Sequence, residues 1–386
     1  MSEGILHLLE TANAPKIGRT RRATKPRKSL RYGAIVSAIV GALATTGGGT
    51  AVAQPNIGEA PNPALFVARD NDTTIYLFGT IHIVPCEAGA NPPVCASGIT
   101  PAIRDAIIAS DEVWLEVATL DDILADSESL LLDSAFLTDG SLLSDYIPDD
   151  ERRIIAESIL DQYGGDASVE SVMSTIDTMK PWILSMLIDF SDVAPSGDWG
   201  PGVDFEVADI AETGGIPILG FESLDQQMAL ITSDRLENQI VDLRTRAVVI
   251  GQDIDLGEIN ELGLSEVWDT WAAGRWKEMG FLTDAGALPD ISDAEAAAAL
   301  ATSESEYRQI VEDIEAFYPL AVQEARIAYN YDRLIAQRNF NWMTDIEAML
   351  DRSGTFFIAV GAAHLVGDDG LPTLLENAGA VVERVQ

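Results

Sequence analysis

Thr73-Thr-Ile-Tyr-Leu-Phe-Gly-Thr-Ile-His82 and Thr355-Phe-Phe-Ile-Ala-Val-Gly-Ala-Ala-His364 are built alike. Each is a short apolar run rich in β-branched and aromatic residues, which reads as a buried strand. Each ends in Gly-x-x-His. A glycine at a strand end lets a backbone or a ligand come close, and an imidazole three residues later projects from the strand-end loop. The neighbourhoods match as well. After His82 come a Pro-rich loop, a helix from about 101 to 109 and a strand at 112–117. After His364 come a Gly/Asp loop, a helix at 371–377 and a strand at 380–385. Two related β-(Gly-x-x-His)-α-β units are therefore expected to pair their strands in one central mixed sheet, giving an α/β fold with both histidines at one end. The first unit begins with a hairpin, strand 64–69 turning at Asp70-Asn71-Asp72.

Between the units, residues 119–350 read as a large helical insertion. Apolar residues at three-to-four spacing predict helices over 150–160, 168–190, 223–250 and about 290–349. One α/β segment interrupts it: a helix from Gly202-Val-Asp204 to Ala211, a Gly214-Gly215 turn and the short strand Ile218-Leu-Gly-Phe-Glu222, expected to join the sheet.

The first 53 residues differ in composition from the remainder, with eight Lys/Arg against Glu3 and Glu10, an apolar run from Tyr32 to Ala44, and Ala51-Val-Ala53 before Gln54. This pattern predicts a signal peptide cleaved before Gln54 and a periplasmic or secreted domain, 54–386. The apolar run is shorter than the roughly 20 residues a spanning helix needs, so no stable membrane insertion is expected after cleavage. Removing the leader's eight basic and two acidic residues leaves 16 Lys/Arg against 60 Asp/Glu, a net charge of −44. That excess disfavours nucleic acid and anionic membranes as partners. The 47% apolar content argues against disorder. Nothing in the sequence fixes an oligomeric state. Cys86 and Cys95 are the only cysteines, nine apart in one loop. A local disulfide suits an exported chain; a metal site joining these thiols to the nearby His82 is the other reading.

The chain has three histidines, and His7 lies in the leader, so His82 and His364 stand in matched contexts with no others to choose from. Two imidazoles make an incomplete site for a catalytic divalent cation, which usually takes three protein ligands and keeps a position for water. Glu116 is the first candidate for the third, because a carboxylate in the apolar strand Val113-Trp-Leu-Glu116 needs a partner or an exposed edge. Glu222, ending its own strand, is either a second carboxylate or a helix-start acid. Asp204 reads as a helix cap.

These residues resemble the TraB/PrgY/GumN family, to which the TIKI metalloproteases are similar, over essentially the whole mature chain. The carriers are Leu77-Phe-Gly-Thr-Ile-His82, Trp114-Leu-Glu116, Gly202-Val-Asp204, Ile218-Leu-Gly-Phe-Glu222 with Gln226-Gln227, Trp271-Ala-Ala-Gly274, Arg338-Asn339 with Met343, and the closing run Phe357 to Leu371. The Cys86–Cys95 loop and the Phe221-Glu222 pair depart from the family pattern. The resemblance implies a fold like that of the erythromycin esterase and ChaN-like group. It also implies a peptidase acting on a peptide or protein substrate with a divalent cation (Mn, Co or Zn), with His82, His364 and Glu116 as metal or catalytic groups. Arg338 is implied to steady an oxyanion or a substrate carboxylate. The alternative it carries is a non-catalytic extracytoplasmic protein that binds a peptide signal or haem/iron.

Overall fold

The computed structural model describes residues 61–87, 94–118, 134–163, 167–193, 199–251, 265–280, 318 and 328–386. The signal peptide expected over 1–53 and most of the helix expected over 290–349 lie outside them.

Six strands form one mixed sheet in the order β6-β4-β7-β2-β1-β8. They are β1 (Leu65–Arg69), β2 (Thr73–Thr80), β4 (Glu112–Val117), β6 (Ile218–Glu222), β7 (Gly354–Gly361) and β8 (Val381–Arg384). The two motif strands are direct neighbours: β2 and β7 run parallel, with Gly79 opposite Val360 and Thr80 opposite Gly361. β4 is parallel to both β7 and β6, whereas β1 is antiparallel to β2 and β8. The hairpin, both units and the added strand at Ile218–Glu222 thus form as the sequence indicates. A separate pair joins β3 (Ile83–Pro85) to β5 (Trp199–Pro201).

Period-two patterning divides the core between the two faces of the sheet. Phe78, Val113, Leu115, Phe357 and Ala359 pack on one face with Ile103 and Ile107 of α1 (Pro101–Ile108) and with Val203, Val207 and Ala211 of α5 (Val203–Gly214). Ile75, Leu77, Phe356, Ile358 and Val360 pack on the other. Their partners there are Leu371 and Leu375 of α9 (Leu371–Asn377), with Trp342 and Ile346 of α8 (Gln337–Leu350). The chain leaves β2 for β4 in one direction and β7 for β8 in the other, so its path reverses between β2 and β7. In open α/β sheets the crevice beyond the strand ends at such a point is where ligands bind.

The insertion contributes a second core, in which α2 (Asp149–Tyr163), α3 (Val169–Ile176), α4 (Pro181–Val193) and α7 (Leu236–Gly251) bury Ile155, Ile176, Leu184 and Leu243 among others. Two helices expected to be continuous are broken. The 168–190 stretch divides before Pro181, which lacks the amide a helix interior needs and starts a new helix instead. The 223–250 stretch divides into α6 (Leu224–Thr232) and α7, where Asp234 accepts from the Arg235 backbone N–H and the Asn238 side chain at the new start. Among the described residues no helix is long and apolar enough to cross a membrane.

Candidate functional site

Four neighbouring parallel strands each bring one polar side chain to the same end of the sheet. His82 follows β2, His364 lies in the single 3-10 turn after β7, Glu116 is the penultimate residue of β4, and Glu222 ends β6. Helices supply the rest: Asp204 from the first turn of α5, Gln227 from α6, and Arg338, Asn339 and Trp342 from successive turns of α8.

The two motifs touch. A Cβ on Gly79 would lie 2.9 Å from the Ala362 Cα, so only glycine lets the first strand end lie against the second motif. The Trp271 indole N–H donates to the Gly79 carbonyl at 2.7 Å and fixes that strand end. At Gly361 the missing side chain leaves a niche. A Cβ there would stand 3.3 Å from Glu116 Oε1, 3.5 Å from His82 Nε2 and 3.7 Å from His364 Cδ2.

Each imidazole is anchored through Nδ1. His82 Nδ1 lies 2.9 Å from Asp204 Oδ2, and the Thr80 hydroxyl donates to the other Asp204 oxygen. Burial opposes charge on His82, but Asp204, by proximity and hydrogen bond, and Glu116 outweigh it and raise the pKa to about 9. His364 is the opposite case. The Asn339 amide donates to the His364 and Asp369 carbonyls, at 3.1 and 2.7 Å, which turns Oδ1 toward His364 Nδ1 at 2.7 Å. An acceptor there makes Nδ1 the protonated nitrogen and leaves the Nε2 lone pair to accept from Arg338 Nη1 at 3.1 Å. Burial first, then the nearby guanidinium, lower the His364 pKa to about 3. The Trp342 ring lies 4.5 Å from the His364 ring, centroid to centroid.

Arg338 is buried at the centre, and all five of its N–H groups have acceptors. Nε and Nη2 donate to the two Glu222 oxygens at 2.8 and 3.0 Å, and Nη2 also donates to Glu116 Oε2 at 2.5 Å. Nη1 serves the Leu334 carbonyl, at 3.1 Å, and His364. The sequence expectation that this side chain meets an oxyanion or a substrate carboxylate gives way to an internal role, because a guanidinium has no sixth donor. Trp342 donates to Glu222 at 3.0 Å, so Glu222 is fully engaged behind Arg338. Glu116 accepts from Arg338 and Gln227 through Oε2 and from the Gly361 backbone through Oε1 at 2.8 Å. Desolvation would raise its pKa, but Arg338 and both histidines overcome it and hold the carboxyl well below the usual range.

His82, Glu116, His364, Arg338 and Glu222 are thus all brought together. Reasoning from single residues missed the work of Asp204, which read only as a helix cap, and gave no role to Asn339, Gln227 or Thr80. Their side chains act on partners 25 to 124 positions away, and no local pattern encodes that.

The donor chemistry allows a test of whether a divalent cation fits. Both histidines commit Nδ1 to an oxygen, the outer-shell support that metal-binding imidazoles use. His82 Nε2 and Glu116 Oε1 border one niche, and His364 Nε2 lies 3.8 Å from Glu116 Oε1. In kind these residues fit the ion; in orientation His82 and Glu116 face the niche, whereas His364 turns Cδ2 to it and gives Nε2 to Arg338. They are not drawn together around it: Arg338 stands on both Glu116 and His364, and among the described residues no group of three His, Cys, Asp or Glu side chains is gathered closely enough to hold a metal.

The TraB/PrgY/gumN family model matches residues 64–384. The chain belongs to that family. The match runs from β1 to the last residue of β8, so it takes in the sheet and every residue of the cluster around Gly361. No curated protein and no solved structure matches the chain.

Proposed function

We propose that this TraB/PrgY/gumN family member is an exported hydrolase that cleaves peptide bonds with a divalent cation at the Gly361 niche. The observation that carries the reading is the convergence there of His82 Nε2 and Glu116 Oε1, beside an imidazole held neutral. His82 and Glu116 would hold the ion, joined by His364 once Arg338 gives up its Nε2; the ion would supply a polarised water and a Lewis acid for the scissile carbonyl.

The chain's own residues prepare that step. Asp204 keeps a proton on Nδ1 of His82 and so aims Nε2 at the niche. Near neutral pH Nε2 carries a proton too, which a cation has to displace. Asn339 fixes His364 in the tautomer whose Nε2 is a lone-pair donor. Arg338 keeps Glu116 ionised without meeting the substrate. Gly361 keeps the approach to Glu116 Oε1 and His82 Nε2 free of a side chain. Leu365 and Trp342, both buried, exclude bulk solvent from the back of the cluster.

The test is to strip the mature chain with a chelator and titrate it with Mn²⁺, Co²⁺ or Zn²⁺ by calorimetry in buffers of differing ionisation enthalpy. Each preparation is then assayed on a peptide library. Binding with about one proton released near pH 7, accompanied by cleavage and lost in His82→Ala, supports the reading. Equal metal binding by wild type and His82→Ala overturns the site, and tight peptide binding without products overturns the enzyme.

A further inference from the structure

The Cys86–Cys95 disulfide lies outside the cluster around Gly361, yet it is built into the segments that deliver His82 and Asp204. β3 starts one residue after His82 and ends beside Cys86, and β5 ends three residues before Asp204. The two strands pair antiparallel, Ile83 with Pro201 and Val84 with Gly200. The bridge packs on that pair: a Cβ at Gly200 would lie 2.5 Å from Cys95 Sγ and 2.7 Å from Cys86 Sγ, so the strand passes flat against the sulfurs because it has no side chain there. Backbone bonds flank the bridge, Glu87 N–H to the Val94 carbonyl and Ala96 N–H to the Pro85 carbonyl, each 2.8 Å. Beyond Cys95, Ser97 and the Gly98 N–H donate to Glu206 at 2.5 and 2.9 Å, on the same α5 turn as Asp204. The loop therefore holds both β5 and the first turn of α5. Two three-residue strands are too short to stay paired on their own ladder.

We propose that this disulfide is a redox switch for the site: closed, it seats Asp204 on His82, and its reduction by a dithiol releases β5 and separates the two side chains. The idea rests on the reading of His82 as a working group at the niche. Cys95 is partly exposed while Cys86 is buried, so attack enters at Cys95. A dithiol's thiolate bonds to Cys95 Sγ as the S–S bond breaks and Cys86 leaves as thiolate. The reductant's second thiol then displaces Cys95. The two cysteines end as thiols and the reductant as a disulfide, with two electrons and two protons transferred. Cys86 and Cys95 are the only cysteines in the chain, so a dithiol acts at no other disulfide within it.

The experiment uses the ¹⁵N-labelled full chain and follows the imidazole Nδ1–H resonances of His82 and His364, assigned with His82→Gln. His364, bonded to Asn339, is the internal control. In dithiothreitol, and in Cys86→Ala/Cys95→Ala, the His82 signal is expected to vanish into exchange with water while the His364 signal stays. Peptide cleavage should fall at least tenfold. Gly200→Ala, which drives a methyl into the intact bridge, should give the same pattern without a reductant. Both signals persisting in the reduced chain overturns the switch, and so does their joint loss, which would make the bridge a general brace of the fold. A chain that cleaves nothing in either redox state sinks the hydrolase reading, while the His82 resonance still decides this one.

Discussion

Arg338 Nη1 donates to Nε2 of His364 at 3.1 Å while Nη2 of the same guanidinium donates to Glu116 at 2.5 Å, so one side chain keeps the imidazole neutral and the carboxylate ionised. Removing it strands Glu116 and Glu222 as buried carboxylates. Breaking such a buried pair costs about 3–5 kcal/mol. Arg338→Ala should lose that much in urea unfolding, and Arg338→Lys should recover only part of it, since an ammonium lacks the five-donor fork. Full stability in Arg338→Ala would mean the cluster does not depend on it.

The two histidines set opposite limbs of a stability–pH profile. The folded pKa of His82, about 9, lies above the unfolded value near 6.5, so its contact with Asp204 stabilises fully below pH ~6.5 and that stabilisation is lost as pH rises through about 9. Asp204→Asn should therefore be destabilised by on the order of 3 kcal/mol at pH 6, with the gap to wild type narrowing by pH ~10. His364, lowered to about 3, works the other way: between pH ~6.5 and ~3 the unfolded chain takes up a proton that the folded chain refuses, and stability falls. Denaturant melts from about pH 3 to about pH 10 read both limbs.

Gly361 has φ −49° and ψ 138°, values open to alanine, so Gly361→Ala is free of backbone strain. Its methyl would fill the niche between Glu116 Oε1 and His82 Nε2. The variant should melt within about 1 kcal/mol of wild type and lose at least tenfold in peptide cleavage. Cleavage at the wild-type rate would move the reaction away from this niche.

Asn339 is fully buried and decides the His364 tautomer. Asn339→Ala removes the partner of an imidazole N–H and of two carbonyls, at a cost of about 1–3 kcal/mol for each group left unsatisfied. With no acceptor left on Nδ1 its proton is open to exchange with water, so the resonance of His364 Nδ1–H should disappear even at temperatures where the variant remains folded.

The sheet was legible because its strands carry period-two or continuous apolar runs between turn residues, and the paired Gly-x-x-His motifs put β2 beside β7. The first residues of the site were legible for the same reason: His82, Glu116, Glu222 and His364 are polar groups at or just beyond the ends of apolar strands. Arg338 was identifiable only through the family pattern, and its role was not, because the number of acceptors around a guanidinium depends on which elements surround it. Asp204 shows the limit most clearly. In the sequence it is an acid in the first turn of a helix, a favourable position that asks for no other explanation. The β3–β5 pair and the Val203 N–H bond to the Ile81 carbonyl, at 2.9 Å, help bring that turn against His82. The helix breaks at Pro181 and Ser233 were hidden because apolar spacing continued through them.

Cleavage of a peptide library by the mature chain with Mn²⁺, compared between wild type and Glu116→Gln, bears most directly on the site. Gln keeps the shape and the bond from the Gly361 N–H while removing the charge that faces His82, His364 and Arg338. Wild type should produce defined fragments, and Glu116→Gln, still folded by circular dichroism, should produce them at least a hundredfold more slowly. Fragments appearing at the same rate from both proteins would contradict the assignment of hydrolysis to these residues.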